Sequence, residues 1–415
     1  MTPEQRLAAL GAAVPEILIP AEKADISKWA VIACDQFSSE PAYWEETART
    51  VGSSPSTLNF IIPECYLEDG DKESRVQAAN QAMSGAVEDG TLKTLEPGFI
   101  LVDRSTPHAP SRKGLVMAVD LEAYDFAEGS SSAIRPTEGT IRDRLPPRMD
   151  IRRGASLDLP HILLLMDDPQ GRVMAAAEAA ADETVYDFDL MQNGGHITGR
   201  RVGGSGLEPL AEAFEALREK SDLLFAVGDG NHSLASAKEI WREKKAAGAP
   251  MDHPARYALV EVENIHDAGL HFHPIHRVLF DVEPDQLIAF LQKELSAEVV
   301  REPDAPAHLV MVTSRGEERW SFPVPEGRLA VEPLQDALDA YLSSHTRSSI
   351  DYIHGDDSVR ELAGASADRL GMILPDLDKS SFFKRITDVG PYPRKTFSIG
   401  EAVEKRYYLE SRRLS

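Results

Sequence analysis

Short apolar runs alternate with amphipathic segments along most of the chain, and this alternation limits the folds it can adopt. The runs "HILLLM" at 161–166 and "DLLFAV" at 222–227 have the length of buried strands. The segments 72–90 and 171–183 have helical spacing instead. No apolar run approaches the roughly 20 residues that a membrane-spanning helix needs. We therefore expect an α+β protein with mixed sheets and helices.

The length of the chain favours more than one domain, because 415 residues exceed what a single hydrophobic core usually holds. The unusual polar clusters lie before residue 281, and few special residues follow it. We therefore predict a larger domain of residues 1–280 and a smaller α/β domain of residues 281–415. Within the smaller domain, the segments from "IDYIHG" to "SSFFKRI" predict the order strand, helix, strand, helix.

The chain is strongly acidic, with a formal net charge of −24. It has no overall excess of Lys and Arg to neutralise phosphates, so a nucleic-acid partner is not expected. The two cysteines, Cys34 and Cys65, do not make a disulfide framework, and we interpret them as small buried side chains. The first residues lack a signal-peptide pattern, so we expect a cytoplasmic protein without membrane contact.

A strand that turns directly into a helix is predicted at 226–241, "AVGDGNHSLASAKEIW". Gly228 and Gly230 permit close approach of the backbone and a positive φ. The stretch is not a P-loop, because no Gly-Lys-Ser/Thr follows, and it lacks the third glycine of a dinucleotide fingerprint. An ordinary tight turn is the alternative to a binding site.

The polar residues of this turn suit an anion. Asn231 or Ser233 can cap the helix, whose first turn leaves N–H groups that attract phosphate or carboxylate. His232 can add a hydrogen-bond donor, and Asp229 can hold a metal ion or orient a hydroxyl group. The turn is therefore a candidate anion site.

Arginines are concentrated in the segment 135–153, which contains six of them. Guanidinium groups bind phosphate and carboxylate oxygens in a bidentate way. Glu138 lies among these arginines, which would keep it ionised and able to act as a general base. A solvated helix face with a Glu138–Arg142 ion pair is the alternative. The arginines of the segment are Arg135, Arg142, Arg144, Arg148, Arg152 and Arg153.

A histidine-rich stretch follows, "NIHDAGLHFHPIHR". In a strand, His271 and His273 would share one face, a spacing that zinc sites use. We expect Pro274 to interrupt the strand, so that His276 need not stay in register. A metal site formed by His271, His273 and His276 stays open, and His276 with Arg277 is interpreted as an anion or substrate contact.

The turn resembles the hallmark of a bacterial and archaeal family, the domain-of-unknown-function family 1015, which is often labelled ParB-like. That hallmark, Asp-Gly-His-His-Arg, corresponds here to residues 229–233. The segments "ACDQF" (33–37), "TEGTIRDR" (137–144) and "PRKTFSIG" (393–400) resemble further landmarks of the family. Asn231 replaces the first histidine of the hallmark, and Ser233 replaces its arginine, which removes one phosphate contact.

The family is similar, more distantly, to the ParB/sulfiredoxin fold, in which the equivalent turn holds nucleotide phosphates. Free-serine kinases built on that fold phosphorylate a small hydroxy amino acid. The resemblance therefore implies a ParB/sulfiredoxin-like core and a nucleotide-dependent phosphotransferase. It would use ATP or ADP with Mg²⁺ and act on a small hydroxy compound such as a free amino acid. A homodimer is compatible with this expectation.

These expectations assign roles to individual residues. Glu138 would be the base, Asp229 the metal ligand, and His232 a further catalytic group. A non-catalytic, ParB-like nucleotide-binding regulator and a metal-dependent hydrolase are the alternatives. The predicted cofactor-binding residues are Gly228, Gly230, Asn231, Ser233, Arg142, Arg144, His276 and Arg277.

Overall fold

The structure, a computed structural model, describes residues 1–67, 69–302 and 305–414, without the side chain of Arg144. It divides into two compact units, residues 1–270 with 400–415, and residues 271–399. The units differ from the predicted division in two places, because residues 271–280 join the second unit and the terminal segment returns to the first. Whether either unit is an independent domain stays a prediction.

The helices and strands are numbered along the whole described chain. The helices are α1 (Pro3–Ala9), α2 (Ile26–Trp29), α3 (Pro41–Val51), α4 (Lys72–Glu88), α5 (Leu145–Arg153), α6 (Arg172–Ala180), α7 (Leu207–Arg218), α8 (Asn231–Ala246), α9 (Pro284–Leu295), α10 (Val331–Ser344), α11 (Asp356–Gly364) and α12 (Phe382–Asp388). The strands before residue 271 are β1 (Ala12–Ala13), β2 (Leu18–Pro20), β3 (Val31–Ile32), β4 (Leu92–Thr94), β5 (Gly98–Ser105), β6 (Arg112–Asp120), β7 (Ile134–Pro136), β8 (Leu157–Asp158), β9 (Leu163–Met166), β10 (Glu183–Leu190), β11 (Gly195–Gly203), β12 (Phe225–Asp229) and β13 (Tyr257–Asn264). The later strands are β14 (Phe272–Phe280), β15 (Glu298–Val299), β16 (Leu309–Thr313), β17 (Gly316–Ser321), β18 (Ser349–His354), β19 (Leu370–Ile373), β20 (Phe397–Ile399), β21 (Tyr407–Tyr408) and β22 (Arg412–Arg413).

A mixed sheet forms the centre of the first unit. Its strand order is β10-β11-β5-β6-β13-β9-β12-β7, and β1 also pairs with β6. At one end, β12 runs parallel to β7 and antiparallel to β9, while β9 runs parallel to β13. The predicted α+β class with mixed sheets is confirmed, and a ParB/sulfiredoxin-like core stays a prediction.

Both faces of this sheet are covered, as the alternation of side chains along β6 shows. Leu115 and Met117 pack in one cluster with residues of α6, α7 and α8. Val116 lies in a second cluster with Trp29 of α2 and Trp44 of α3. Neighbouring strand residues point to opposite faces, so the central strands are apolar throughout. The sheet therefore separates two hydrophobic cores.

The second unit has an antiparallel sheet in the order β15-β17-β16-β19-β14-β18, with β20 also paired to β14. The predicted order of strand, helix, strand and helix is confirmed as β18, α11, β19 and α12. The expected interruption at Pro274 is wrong, because β14 continues through it opposite Phe397. Proline is accepted near the beginning of a strand, where one ladder hydrogen bond is dispensable.

Helices in the described part of the chain are too short or too polar to cross a bilayer.

Candidate functional site

The strand-to-helix turn has the predicted form with a different cap. Strand β12 ends at Asp229 and α8 begins at Asn231, so Gly230 alone makes the turn. Gly230 has a φ of +82°, and a Cβ atom there would lie 3.1 Å from the Cα atom of Ile162. The prediction that Asn231 or Ser233 caps α8 is wrong, because Gly230 is the N-cap. A glycine cap leaves the first-turn N–H groups without a capping side chain.

The turn is joined to the arginine-rich segment by hydrogen bonds. The amide oxygen of Asn231 accepts from the backbone N–H of Thr137 at 3.2 Å. The hydroxyl of Thr137 donates to the carbonyl oxygen of Val227 at 2.5 Å. The Nε2 atom of His232 accepts from the backbone N–H of Ile141 at 3.3 Å. Because β7 and β12 are parallel, their carboxyl ends meet at one edge of the sheet. The start of the segment therefore lies beside the turn.

The arginines whose side chains the structure describes do not form one cluster. The buried Arg135 donates to the carbonyl oxygen of Ser132, at 2.8 Å. Arg142 is exposed and stacks its guanidinium 5.7 Å from the ring centre of Phe126. The side chain of Arg144 lies outside the described structure. The alternative of a solvated helix face at 138–142 is wrong, because α5 begins only at Leu145.

Asp229 is paired with a lysine from the end of the chain. Its Oδ2 atom accepts from the Nζ atom of Lys405 at 2.8 Å, and its Oδ1 atom accepts from the N–H of Gly230 at 2.9 Å. Burial favours the neutral acid, yet the ammonium of Lys405 holds the pKa of Asp229 below its usual value. The carboxylate also holds the pKa of Lys405 above its usual value, against the effect of burial. Asp229 is therefore ionised, as a metal ligand must be, but already has a cationic partner.

A cavity of about 150 Å³ lies beside the first turns of α8. Arg148 and Arg152 line it, opposite Ser233 and Ser236 of α8, so the cavity joins both sequence regions. Each arginine is paired with a carboxylate, Arg148 with Glu64 and Arg152 with Asp158. Much of the remaining wall is apolar, including Phe60, Ile62, Met83 and Leu157.

A chain of hydrogen bonds runs along this cavity. The Oγ atom of Ser233 lies 2.8 Å from the Nε2 atom of His161. The Nδ1 atom of His161 lies 3.0 Å from the hydroxyl of Tyr408, which donates to the Sγ atom of Cys34 at 3.1 Å. Burial raises the pKa of the Cys34 thiol to about 12 and that of Tyr408 well above its usual value. Both groups are therefore protonated at neutral pH.

Sequence reasoning missed His161 and Tyr408. His161 directly precedes the apolar run of β9, and Tyr408 lies 247 positions further along the chain. Neither stands in a motif, and the pairing of β21 with β3 brings Tyr408 to the cavity. Cys34, interpreted as a structural side chain, is half-buried and lines the same cavity.

The histidine-rich stretch does not assemble the three-histidine metal set that the sequence left open. The Nδ1 atom of His276 accepts from the N–H of Leu374 at 3.1 Å, and its Nε2 atom lies 2.9 Å from a carboxylate oxygen of Asp356. Because both ring nitrogens have partners, His276 cannot join His271 and His273 as a ligand. The alternative of a metal site formed by these three histidines is therefore wrong.

Arg277 also belongs to the second unit. It is fully buried, and its Nε atom donates to the amide oxygen of Gln335 at 3.2 Å. His276 and Arg277 are therefore held by neighbours within their own unit. Their predicted contact with a nucleotide stays a prediction.

Three solved structures are distantly similar to this chain. A free serine kinase in complex with AMP has 11% sequence identity and a TM-score of 0.41, and the match covers 72% of this chain and 92% of that one. A conserved hypothetical protein from Pyrococcus furiosus has 11% identity and a TM-score of 0.39, with coverages of 72% and 95%. SbnI with a C-terminal truncation, from Staphylococcus aureus, has 13% identity and a TM-score of 0.36, with coverages of 69% and 82%. At these values the similarity assigns no function.

Among curated proteins, no match was found. The model of the family "Protein of unknown function (DUF1015)" matches residues 16–341, which is most of the chain. The family expected from the turn and its landmarks is thus confirmed, and the protein belongs to the DUF1015 family.

Proposed function

We propose that this protein is a nucleotide-dependent phosphotransferase that acts on a small hydroxy compound. The main support for this proposal is the beginning of α8. Gly230, in the left-handed conformation, is the N-cap there, so no side chain caps the helix. This turn lies beside the start of the arginine-rich segment. Helix N-termini of this kind bind phosphate through backbone N–H groups and the helix dipole. The nucleotide would be ATP or ADP.

Backbone groups supply most of the proposed phosphate site. Gly228 and Gly230 let the phosphates approach, and the N–H groups of Asn231, His232 and Ser233 donate to them. The side chain of Asn231 has a different task, because it holds Thr137 and with it the start of the arginine-rich segment.

Charged side chains complete the proposed site. Arg142, which is exposed, would bind phosphate oxygens. Glu138 follows Thr137 directly and would accept the proton of the substrate hydroxyl. Phosphoryl-transfer sites usually hold Mg²⁺ through one or two carboxylates and the phosphate oxygens, and Asp229 would serve as such a carboxylate if it shared its charge between the ion and Lys405. The ion would neutralise charge on the phosphates.

The experiment that tests this proposal measures nucleotide binding first and turnover second. Thermal unfolding is followed with ATP, ADP or no nucleotide, with and without Mg²⁺. A nucleotide at 100 times its Kd should stabilise the fold by about 2.7 kcal/mol. Turnover is then measured with a panel of hydroxy amino acids. If no nucleotide raises the unfolding temperature and no substrate is turned over, the proposal is wrong.

Matched variants separate binding from catalysis. Arg142→Met should weaken nucleotide binding about tenfold, the effect of losing one charge-assisted hydrogen bond. Arg153→Met is the control, because Arg153 is exposed and pairs with Glu243. Glu138→Gln should keep nucleotide binding and lose turnover at least 100-fold. If Arg142→Met and Arg153→Met bind the nucleotide with equal affinity, the proposed location of the phosphate site is wrong.

A further inference from the structure

The cavity beside α8 contains a nucleophile and a base that the proposed phosphotransferase does not use. The phosphate site takes the backbone N–H group of Ser233, whereas its side chain faces His161 at 2.8 Å. A hydroxyl within hydrogen-bond reach of a base that a third group orients is the common arrangement of an activated serine. Here the third group is the hydroxyl of Tyr408, 3.0 Å from the other ring nitrogen of His161.

The partners of Tyr408 determine which nitrogen of His161 carries the proton. The hydroxyl of Tyr408 donates its only proton to the Sγ atom of Cys34, and its oxygen also accepts from the N–H of Cys34 at 3.4 Å. With this proton directed to the sulfur, the oxygen acts as an acceptor towards His161, and the tautomer that satisfies this arrangement carries its proton on Nδ1. The Nε2 atom is then unprotonated and accepts the hydroxyl proton of Ser233.

The wall of the cavity indicates what kind of group Ser233 would receive. A cavity of about 150 Å³ is of the size that holds a single benzene ring. The side chains of Phe60, Ile62, Met83 and Leu157 make part of the wall apolar. Because Arg148 and Arg152 are already paired with carboxylates, the cavity suits a short uncharged acyl chain better than an anion.

We propose that Ser233 is a catalytic nucleophile and His161 its general base, in the hydrolysis of esters of short, apolar acids. The Oγ atom attacks the carbonyl carbon while its proton moves to Nε2 of His161. The bond from that carbon to the alcohol oxygen breaks, and the alcohol leaves with the proton. Water then attacks the acyl-serine with His161 as base, which releases the acid and restores the hydroxyl. Ser233 belongs to the first turn of α8, whose backbone N–H groups have no capping side chain and would donate to the oxyanion.

Tyr408 is a positioning residue in this scheme. Replacing it with phenylalanine removes the acceptor for the Nδ1 proton and lets the imidazole adopt the other tautomer. We expect Tyr408→Phe to lower the maximal rate of serine modification about tenfold. The concentration of reagent that gives half of that rate should stay the same, because the apolar wall is intact. If Tyr408 had only a structural role, the variant would change both the maximal rate and the reagent concentration that gives half of it.

Covalent labelling of the full-length protein with diisopropyl fluorophosphate tests the proposal. Ser233 attacks phosphorus, fluoride leaves, and the adduct is located by peptide mass spectrometry. We expect the wild-type protein to be labelled at Ser233 and to hydrolyse p-nitrophenyl butyrate. His161→Gln should slow labelling at least 100-fold, the range for loss of a general base, and Ser233→Ala should abolish both activities.

Ser236→Ala is the matched control. Ser236 lies in the same cavity but donates to the carbonyl oxygen of His232. This variant should be labelled at the rate of the wild type. Thermal unfolding of each variant shows whether it folds. The proposal is overturned if the folded wild-type protein is not labelled at Ser233, or if folded His161→Gln reacts at the wild-type rate. Neither readout involves a nucleotide, so the result is independent of the phosphotransferase proposal.

Discussion

The ion pair between Asp229 and Lys405 connects the candidate site to the end of the chain. The two residues are 176 positions apart, and their side chains are only 30% and 15% exposed. A charge removed from water is stabilised only by a close partner, so each residue depends on the other. The pair also keeps a carboxylate ionised at the edge of the sheet where β12 ends.

The variant Lys405→Met tests this dependence. It leaves Asp229 with a buried charge and no ammonium, and we expect it to lower the free energy of unfolding by about 2–4 kcal/mol at pH 7. The folded pKa of Asp229 is depressed, so the contribution of the pair is complete above the unfolded value of about 3.9 and is lost as the pH falls through the folded value. The difference between wild type and variant should therefore shrink below about pH 4.

Urea unfolding across this pH range measures the effect. Lys93→Met is the control, because Lys93 is exposed on β4. A difference for Lys405→Met that is independent of pH would show that lost packing, and not the ion pair, is responsible.

The candidate site was predictable from sequence only where its residues are close in the chain. The concentration of small polar residues identified Asp229, His232 and Ser233, since such residues are rare between a buried strand and a helix. His161 and Tyr408 could not be found in this way. Their proximity depends on the return of the terminal segment, and nothing in their own neighbourhood distinguishes them from core residues.

At the scale of elements, the turn between β12 and α8 is specified by one glycine. Gly230 combines a positive φ with close contact to Ile162, and either property alone would disfavour another residue. The turn also holds β7 and the following segment, through Asn231 and Thr137. We therefore expect the geometry of the site to depend on these few backbone contacts.

The variant Gly230→Ala should be more destabilising than a positive φ alone explains. Left-handed backbone costs an L-residue roughly 1–2 kcal/mol. The new Cβ atom would also lie 3.1 Å from the backbone of Ile162, which cannot move as a flexible side chain can. Gly248→Ala is the matched control, because Gly248 has a φ of +92° and no atom within 4 Å of a new Cβ. The unfolding temperature of Gly230→Ala should be lower than that of Gly248→Ala. Equal unfolding temperatures would show that the closeness of Ile162 has no effect.

The variant Thr137→Val tests the link between β7 and β12. Valine keeps the shape of threonine but removes the hydroxyl that donates to the carbonyl oxygen of Val227. The carbonyl is buried, so we expect a loss of about 1–3 kcal/mol in the free energy of unfolding. Thr91→Val is the control, because Thr91 is also buried but its hydroxyl bonds to the exposed carboxylate of Asp89 and not to a buried carbonyl group. If both variants lose the same free energy of unfolding, the hydroxyl of Thr137 has no special part in joining β7 and β12.

Elements with strong local patterns were predictable, whereas short ones were not. The helix expected at 72–90 is present as Lys72–Glu88, because its apolar spacing and the glycine after it are local signals. Pro274 was taken as an interruption because its effect on β14 depends on which strand lies opposite. The N-cap of α8 was misplaced because the left-handed φ of Gly230 decides it, and the sequence does not show that angle.

At the scale of the molecule, the last residues complete the first unit. Strand β21 pairs with β3, from which almost the whole chain separates it, and β22 pairs with β8, which lies more than half of the chain away. Arg406 is buried between Glu261 and Glu410, and the indole N–H of Trp29 donates to the carbonyl oxygen of Leu409 at 3.0 Å. Composition and periodicity cannot show such a return, which is why the predicted division of the chain assigned this segment to the other domain.

A chain that ends at Ile399 should therefore fail to form a stable first unit. Without residues 400–415, the buried carboxylate of Glu261 loses its ion pair with Arg406, and such a loss costs about 3–5 kcal/mol. The lost strand pairs add to this, against a net stability of about 5–15 kcal/mol for a typical protein.

Intrinsic fluorescence should report an exposed tryptophan environment in the first unit while Trp320 of the second stays buried, and added peptide 400–415 should restore the native signal. Arg413→Met, at an exposed position of the same segment, should unfold like the wild type. Cooperative, wild-type unfolding of the truncated chain would show that the first unit does not need its terminal strands.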